Sequence, residues 1–258
     1  ASPWRGQNWR LRCARPIMAD HFRFLASVAN AVPKLCIPAP AMLHIRGGRG
    51  AISRERYPDM AAFWADAASA YRAAIGHIAA AGCTYLQLDD TSFAYLCDEK
   101  FRASMLERGD DPDRLVLTYA DAINAAIAGR PAGMTITMHT CRGNFKSTWV
   151  ASGGYEPVAE AMFSCDVDGF FMEFDSDRAG DFAPLRFVPK GKKVVLGLVT
   201  TKAGELEDKD TLKRRIDAAA KYVPLEDLCL SPQCGFSSTH HGNALSHEEQ
   251  WRKLERIV

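Results

Sequence analysis

From Lys34 onward the chain alternates short β-rich runs with amphipathic helical stretches, and this alternation restricts the fold more than any other feature. Strands that run parallel need a crossover long enough to carry the chain back to the same end of the sheet, and a helix is the usual solution. KLCIPAP (34–40), CTYLQLDD (83–90), MTITMHTC (134–141), GFFMEFD (169–175), KKVVLGLVTTK (192–202) and LCLSPQCG (228–235) read as strands. Segments 58–82, 98–109, 111–129, 155–165 and 208–223 read as the intervening helices, and 246–258 as a last one. Local signals agree: Pro112 suits a first helical turn, Gly82 a helix stop, and Ser246 with Glu249 a capping box. A closed barrel of this kind needs eight strands. Residues 9–17, WRLRCARPI, are expected to add a seventh, with one more lost from before Ala1. The expectation is therefore one α/β domain over residues 1–258, a TIM (β/α)8-type barrel that is N-terminally incomplete. A doubly wound open sheet is the alternative, but no G-x-G-x-x-G follows a strand.

Composition narrows the function classes. With 258 residues and 47% hydrophobic content, the chain can bury one large core. The formal charge is +1, from 32 basic and 31 acidic residues, and no basic stripe interleaves with aromatics, so a nucleic-acid partner is not expected. No apolar run is long enough to span a bilayer, and ASPWRGQNWRLR lacks the apolar middle of a secretory signal. There are eight cysteines, several of them within apolar runs. They read as free thiols, which favours a reducing, cytoplasmic setting. Cys13, Cys36, Cys83, Cys97, Cys165 and Cys229 are assigned to packing. Monomer and homo-oligomer both stay open.

In a parallel α/β barrel, functional side chains gather at the carboxyl ends of the strands. Those ends carry Asp89 and Asp90, His139 and Cys141, Glu173 and Asp175, Thr201 and Lys202, and Cys234. One imidazole, two thiolates and a carboxylate suit Zn²⁺. His139 and Cys141 are two residues apart, so an extended strand points both to one face. Glu173 and Cys234 would converge on them from later strands. Such an electron-rich set makes the metal a mild Lewis acid that holds an incoming thiol as thiolate. Each piece has an ordinary alternative: a buried small Cys, a paired Glu, a structural H-x-C. Asp89 and Asp90 are read as site residues in preference to a helix N-cap, since two acids ending an apolar strand need partners. His240 and His241 are left open between site lining and solvent; His21, His44, His77 and His247 read as structural.

With these residues in place, the chain resembles the C-terminal catalytic barrel of cobalamin-independent methionine synthase, and most of all its short single-barrel members. The resemblance rests on RPIMADHFRFLASV, LQLDD, MHTCRGN, GFFMEFD and LSPQCGFSS, in combination. It implies zinc held by His139, Cys141, Glu173 and Cys234. It further implies Asp89 and Asp90 at the substrate amino group, and Glu173 bordering the substrate. The implied reaction is methyl transfer from a folate-type donor to homocysteine. Where the family carries a proton-donating His, this chain has Lys202 in GLVTTKAGELE, so Asp89 and Lys202 are the expected catalytic pair. Relatives that open epoxides with coenzyme M supply an alternative, in which Lys202 or Arg142 would meet a sulfonate. A zinc- and thiol-binding barrel without turnover is a third reading.

Overall fold

All six apolar runs form strands: β1 (Leu35–Pro38), β2 (Tyr85–Asp90), β3 (Thr135–Thr140), β4 (Gly169–Glu173), β5 (Lys193–Val199) and β6 (Leu228–Pro232). This computed structural model describes residues 10–237 and 239–258. The strands pair in sequence order, and every pairing is parallel. Helices α1 (Ala19–Val28), α2 (Met60–Ala80), α3 (Ser92–Leu96), α4 (Glu99–Glu107), α5 (Pro112–Ile127), α6 (Ala159–Phe163), α7 (Lys209–Ala219) and α8 (His247–Ile257) complete the alternation. Sequential parallel strands with crossover helices make a TIM-barrel-type wall.

The helix boundaries follow the capping chemistry of the sequence. Asp59 accepts a hydrogen bond from the Ala61 amide at the start of α2, and Asp111 from Asp113 and Arg114 ahead of Pro112 in α5. Ser246 and Glu249 form the expected capping box of α8. One strand face, Leu86, Leu88, Ile136, Met138, Phe170, Met172, Val194 and Leu196, is at most 2% exposed. It packs with helix residues such as Ile75, Ile78, Tyr119 and Ile123 in a single core. Each such side chain contributes about 1.5–3 kcal/mol by leaving water. The alternate residues of each strand face the barrel interior.

Three expectations are corrected. Residues 10–17 form no strand, and residue 9 lies outside the described residues. Among the described residues the sheet has six strands, with β1 and β6 at its edges. Cys36 and Cys229, assigned to packing, are exposed. They lie on those two edge strands, on the parity that faces the interior, where the described sheet supplies no next neighbour to cover them. Cys83, Cys97 and Cys165 are buried as expected. No described helix is long and apolar enough to cross a membrane.

Candidate metal centre

Strand periodicity brings the chemistry together. Parallel register sets Asp89 beside His139, His139 beside Phe171, and Glu173 beside Gly197. Cys141 follows β3 by one residue and Cys234 follows β6 by two. A register shift at Gly197/Val199, with the Gln233 amide bonded to the Val199 carbonyl, turns the β6 end inward. Gly197 is needed at this point: a Cβ there would stand 2.9 Å from the Met172 carbonyl oxygen.

One ligand atom each from His139, Cys141 and Cys234 lies within 4.8 Å of the others. The two Sγ atoms are 3.5 Å apart. Two thiolates about 2.3 Å from a tetrahedral Zn²⁺ would be about 3.8 Å apart, so this spacing fits one ion. Glu173 Oε1 is 3.9 Å from Cys234 Sγ, against about 3.6 Å for a tetrahedral carboxylate–thiolate edge. Glu173 nevertheless stands at the margin of the cluster. Its Oε2 accepts the Arg142 amide at 3.0 Å, and its Oε1 accepts Asn144 Nδ2 at 2.5 Å. The same Nδ2 lies 2.6 Å from Cys234 Sγ, so an amide dipole bridges carboxylate and sulfur. Tyr155 holds the Glu173 backbone, its hydroxyl accepting the Glu173 amide at 3.1 Å.

Electrostatics sort the two thiols. The hydrogen bond from Cys234 brings Cys141 down to about 6, against the opposing effect of burial. The same bond, with burial and the neighbouring negative charges, pushes Cys234 well up. Burial alone would lower His139, but its bond to Asp89 and the charges of Cys141, Asp89 and Glu173 outweigh it and raise the imidazole. Burial would raise Asp89, and the bonds from His139 and Gln87 reverse that.

Asp89 accepts from His139 Nδ1 at 3.2 Å and from Gln87 Nε2 at 2.6 Å, while Lys34 Nζ donates to Gln87 Oε1 at 2.8 Å. A carboxylate on Nδ1 leaves Nε2 as the lone-pair nitrogen, the usual support for a metal-binding His. The Asp89 side chain keeps 43% exposure. A cavity of about 380 Å³ opens beside the cluster, lined by Asp89, His139, Phe171, Glu173, Gln233 and Cys234 among others.

Asp90 does not join them. Adjacent strand residues face opposite sides, and Asp90 is wholly buried on the helix side, with Oδ1 accepting from the Ser92 and Phe93 amides and the Ser92 hydroxyl. From the last position of β2, one residue before the N-cap Thr91, it holds the first amides of α3, close to the cap role set aside in the sequence. Lys202, expected at the reacting atoms, is 9% exposed and donates to Gln233 Oε1 and to Asp175 Oδ2 at 3.4 Å, behind the cavity wall. Arg142 is fully buried over the Tyr155 ring, 4.5 Å from its centroid, and so is closed to a sulfonate. His240 and His241 stack on each other in the loop after Cys234, with His241 against Phe145. Asn144, Arg178 and Gln233 were not foreseen. Only their nearness in sequence to Cys141, Glu173 and Cys234 hinted at them.

The arrangement defines a TIM-barrel-type protein with a soft-ligand cluster at the carboxyl ends of its strands. The chain belongs to the family described as cobalamin-independent synthase, catalytic domain, whose sequence model matches residues 42–252. It is 49% identical over 248 residues to the uncharacterized protein YxjH of Bacillus subtilis (strain 168), an alignment covering 95% of this chain and 65% of YxjH. It is 26% identical over 206 residues to the methionine synthase of Pyrococcus abyssi, covering 79% of this chain and 52% of that protein. The chain thus spans less than two thirds of the length of these curated relatives. A Listeria monocytogenes structure, solved as a candidate vitamin-B12-independent methionine synthase, superposes with a TM-score of 0.76 at 43% identity, covering 96% of this chain and 69% of that one.

Proposed function

We propose that this barrel transfers a methyl group to the sulfur of a small amino thiol, homocysteine in the first instance, at a zinc ion held by His139, Cys141, Glu173 and Cys234. The observation that carries the reading is the convergence of His139, Cys141 and Cys234 to within 4.8 Å beside a cavity. The name of the Pyrococcus relative supports it. Zinc in such a set supplies Lewis acidity that ionises a coordinated thiol at neutral pH.

The chain's own residues do the rest. Asp89 fixes the His139 ring through Nδ1 and offers its exposed edge to the substrate ammonium. Phe171 supplies an apolar wall for the substrate methylenes. Asn144 and the Arg142 amide restrain Glu173. The substrate sulfur attacks the methyl carbon in line. A C–S bond forms, the bond from methyl to a folate-type donor breaks, and the donor's leaving atom takes the electron pair and then a proton. The chemistry needs the sulfur ionised and the methyl activated. The coenzyme M alternative loses its two cations, since Lys202 and Arg142 are both buried away from the cavity.

The test is turnover. Protein loaded with one zinc per chain is given homocysteine with methyl donors of the folate type and simpler ones, and methionine is assayed. Methionine formation dependent on zinc supports the reading. Stoichiometric zinc and thiol binding with no product from any donor would convert it to a binding protein. Absence of tight metal would end it.

A further inference from the structure

Lys202 is a buried ammonium that touches neither the metal-ligand cluster nor the cavity, yet its contacts lead to the cluster by two routes. One is through Gln233: Lys202 Nζ donates to Gln233 Oε1, and Gln233, 5% exposed, is the residue before Cys234. The other is a chain of alternating charge. Lys202 Nζ is 3.4 Å from Asp175 Oδ2, Asp175 Oδ1 is 2.8 Å from Arg178 Nη2, and Arg178 Nη1 is 3.9 Å from Glu173 Oε2. The Lys202, Asp175, Arg178 and Glu173 side chains are all at most 8% exposed, so water screens none of these charges well. Asn144, bonded to both Glu173 and Cys234, closes the two routes into a ring.

We infer that Lys202 is a positioning residue that sets the separation of Glu173 and Cys234, and so the strength of metal binding, through Gln233 and Asp175. The inference rests on the metal-site reading proposed above. Two carboxylates, Asp175 and Glu173, share one guanidinium. Lys202 neutralises Asp175, which leaves the second arm of Arg178 available to Glu173. Without the ammonium, Arg178 is drawn wholly to Asp175 at 2.8 Å and Glu173 loses its counter-charge. Lys202 also decides which way the Gln233 amide faces, because only a carbonyl oxygen can accept from an ammonium. That orientation turns Gln233 Nε2 away from every protein acceptor among the described residues. Thr200 ties the same point to β5, its hydroxyl 3.2 Å from Asp175 Oδ2.

The experiment compares wild type, Lys202→Met, Gln233→Met and the double variant, using cobalt(II) as a spectroscopic metal and competition with a chromogenic chelator for affinity. Supporting residues of metal ligands typically cost 10–100-fold in affinity when removed, so Lys202→Met is expected to lose about that factor and to shift the cobalt spectrum. Gln233→Met should lose affinity too, and the double variant should lose less than the product of the two single losses, because one route passes through both residues. Wild-type affinity and spectrum in Lys202→Met, or fully multiplicative losses, would overturn the inference. So would a Lys202→Met protein that binds cobalt normally but turns over slowly, since that is the signature of a proton donor. Should Lys202→Met fail to fold, Gln233→Met decides alone: wild-type affinity in that variant overturns the proposal. A wild-type chain that binds no cobalt overturns this inference together with the proposed function. Normal wild-type binding with indifferent variants overturns this inference only.

Discussion

At the scale of single residues, the two thiols are unequal partners. Cys141 and Cys234 share one hydrogen bond, Cys234 also lies against Asn144 and Glu173, and Cys141 accepts the Gly143 amide, so a hydroxyl in place of either sulfur keeps a hydrogen-bonding group there while losing the soft donor. Cys141→Ser and Cys234→Ser are therefore expected to fold yet retain far less than one zinc per chain by elemental analysis; stoichiometric zinc in both would defeat the ligand assignment. Asp89 holds His139 and presents an exposed edge to the cavity. Asp89→Asn is expected to weaken zinc modestly and to raise KM for amino thiols more than for thiols lacking an amine, and equal effects on the two would confine Asp89 to supporting His139. The convergence of His139, Cys141 and Cys234 was legible in the sequence because an i, i+2 spacing at a strand end carries its own geometry and the strand ends of a parallel sheet gather on one side. The same periodicity, applied to DD, would have sent Asp90 to the opposite face. Pairing the two acids by adjacency overlooked it. Asn144, Arg178 and Gln233 were not legible, because their contacts depend on how loops return across the strand ends.

At the scale of elements, caps and tight approaches determine how the loops reach the centre. Asp98 begins α4, accepting the Lys100 and Phe101 amides, and its other oxygen accepts the Ser152 amide at 2.8 Å, 54 residues away. Burial would raise this carboxyl, and the hydrogen bonds from Ser152, Phe101 and Lys100 bring it below its usual value instead. A group depressed in the folded state contributes stability above its unfolded pKa, near 3.9, and loses it as pH falls through the folded value. The wild type should thus lose stability more steeply below about pH 4 than Asp98→Ala. At neutral pH the variant should be about 0.5–2 kcal/mol less stable by urea denaturation, the usual cost of a lost cap. Parallel acid limbs in the two proteins would show that Asp98 carries no linked stability. Strands were the most legible elements, since each apolar run ended in turn or polar residues. Helix α3 was missed: five residues, SFAYL, are too few to establish a period. Residues 10–17 misled because apolar and basic residues alternate there as in a strand, while the structure pairs them with no neighbouring strand.

At the scale of the whole molecule, buried charges tie the last helix to the centre. Lys253 of α8 is fully buried and bonds Glu207 at 3.0 Å; Glu207 in turn accepts the Thr200 amide at 2.8 Å, next to the Asp175–Lys202 pair. The proposed metal would add a second long-range link. Its ligands come from the ends of β3, β4 and β6, and the Cys141–Cys234 contact spans 93 residues. An ion that binds only the folded chain stabilises it by mass action, about 2.7 kcal/mol when free metal is a hundredfold above its dissociation constant. In a chain of this size that corresponds to a rise of roughly 5–10 °C in Tm. Scanning calorimetry with zinc, and again after chelation, should show this difference in the wild type. Cys234→Ser should show almost none of it, since the strand that joins β6 to the centre would no longer share the ion. A wild-type Tm indifferent to chelator would mean that the strand ends hold their positions by packing and hydrogen bonds alone. The cluster would then be a coincidence of side chains rather than a metal centre.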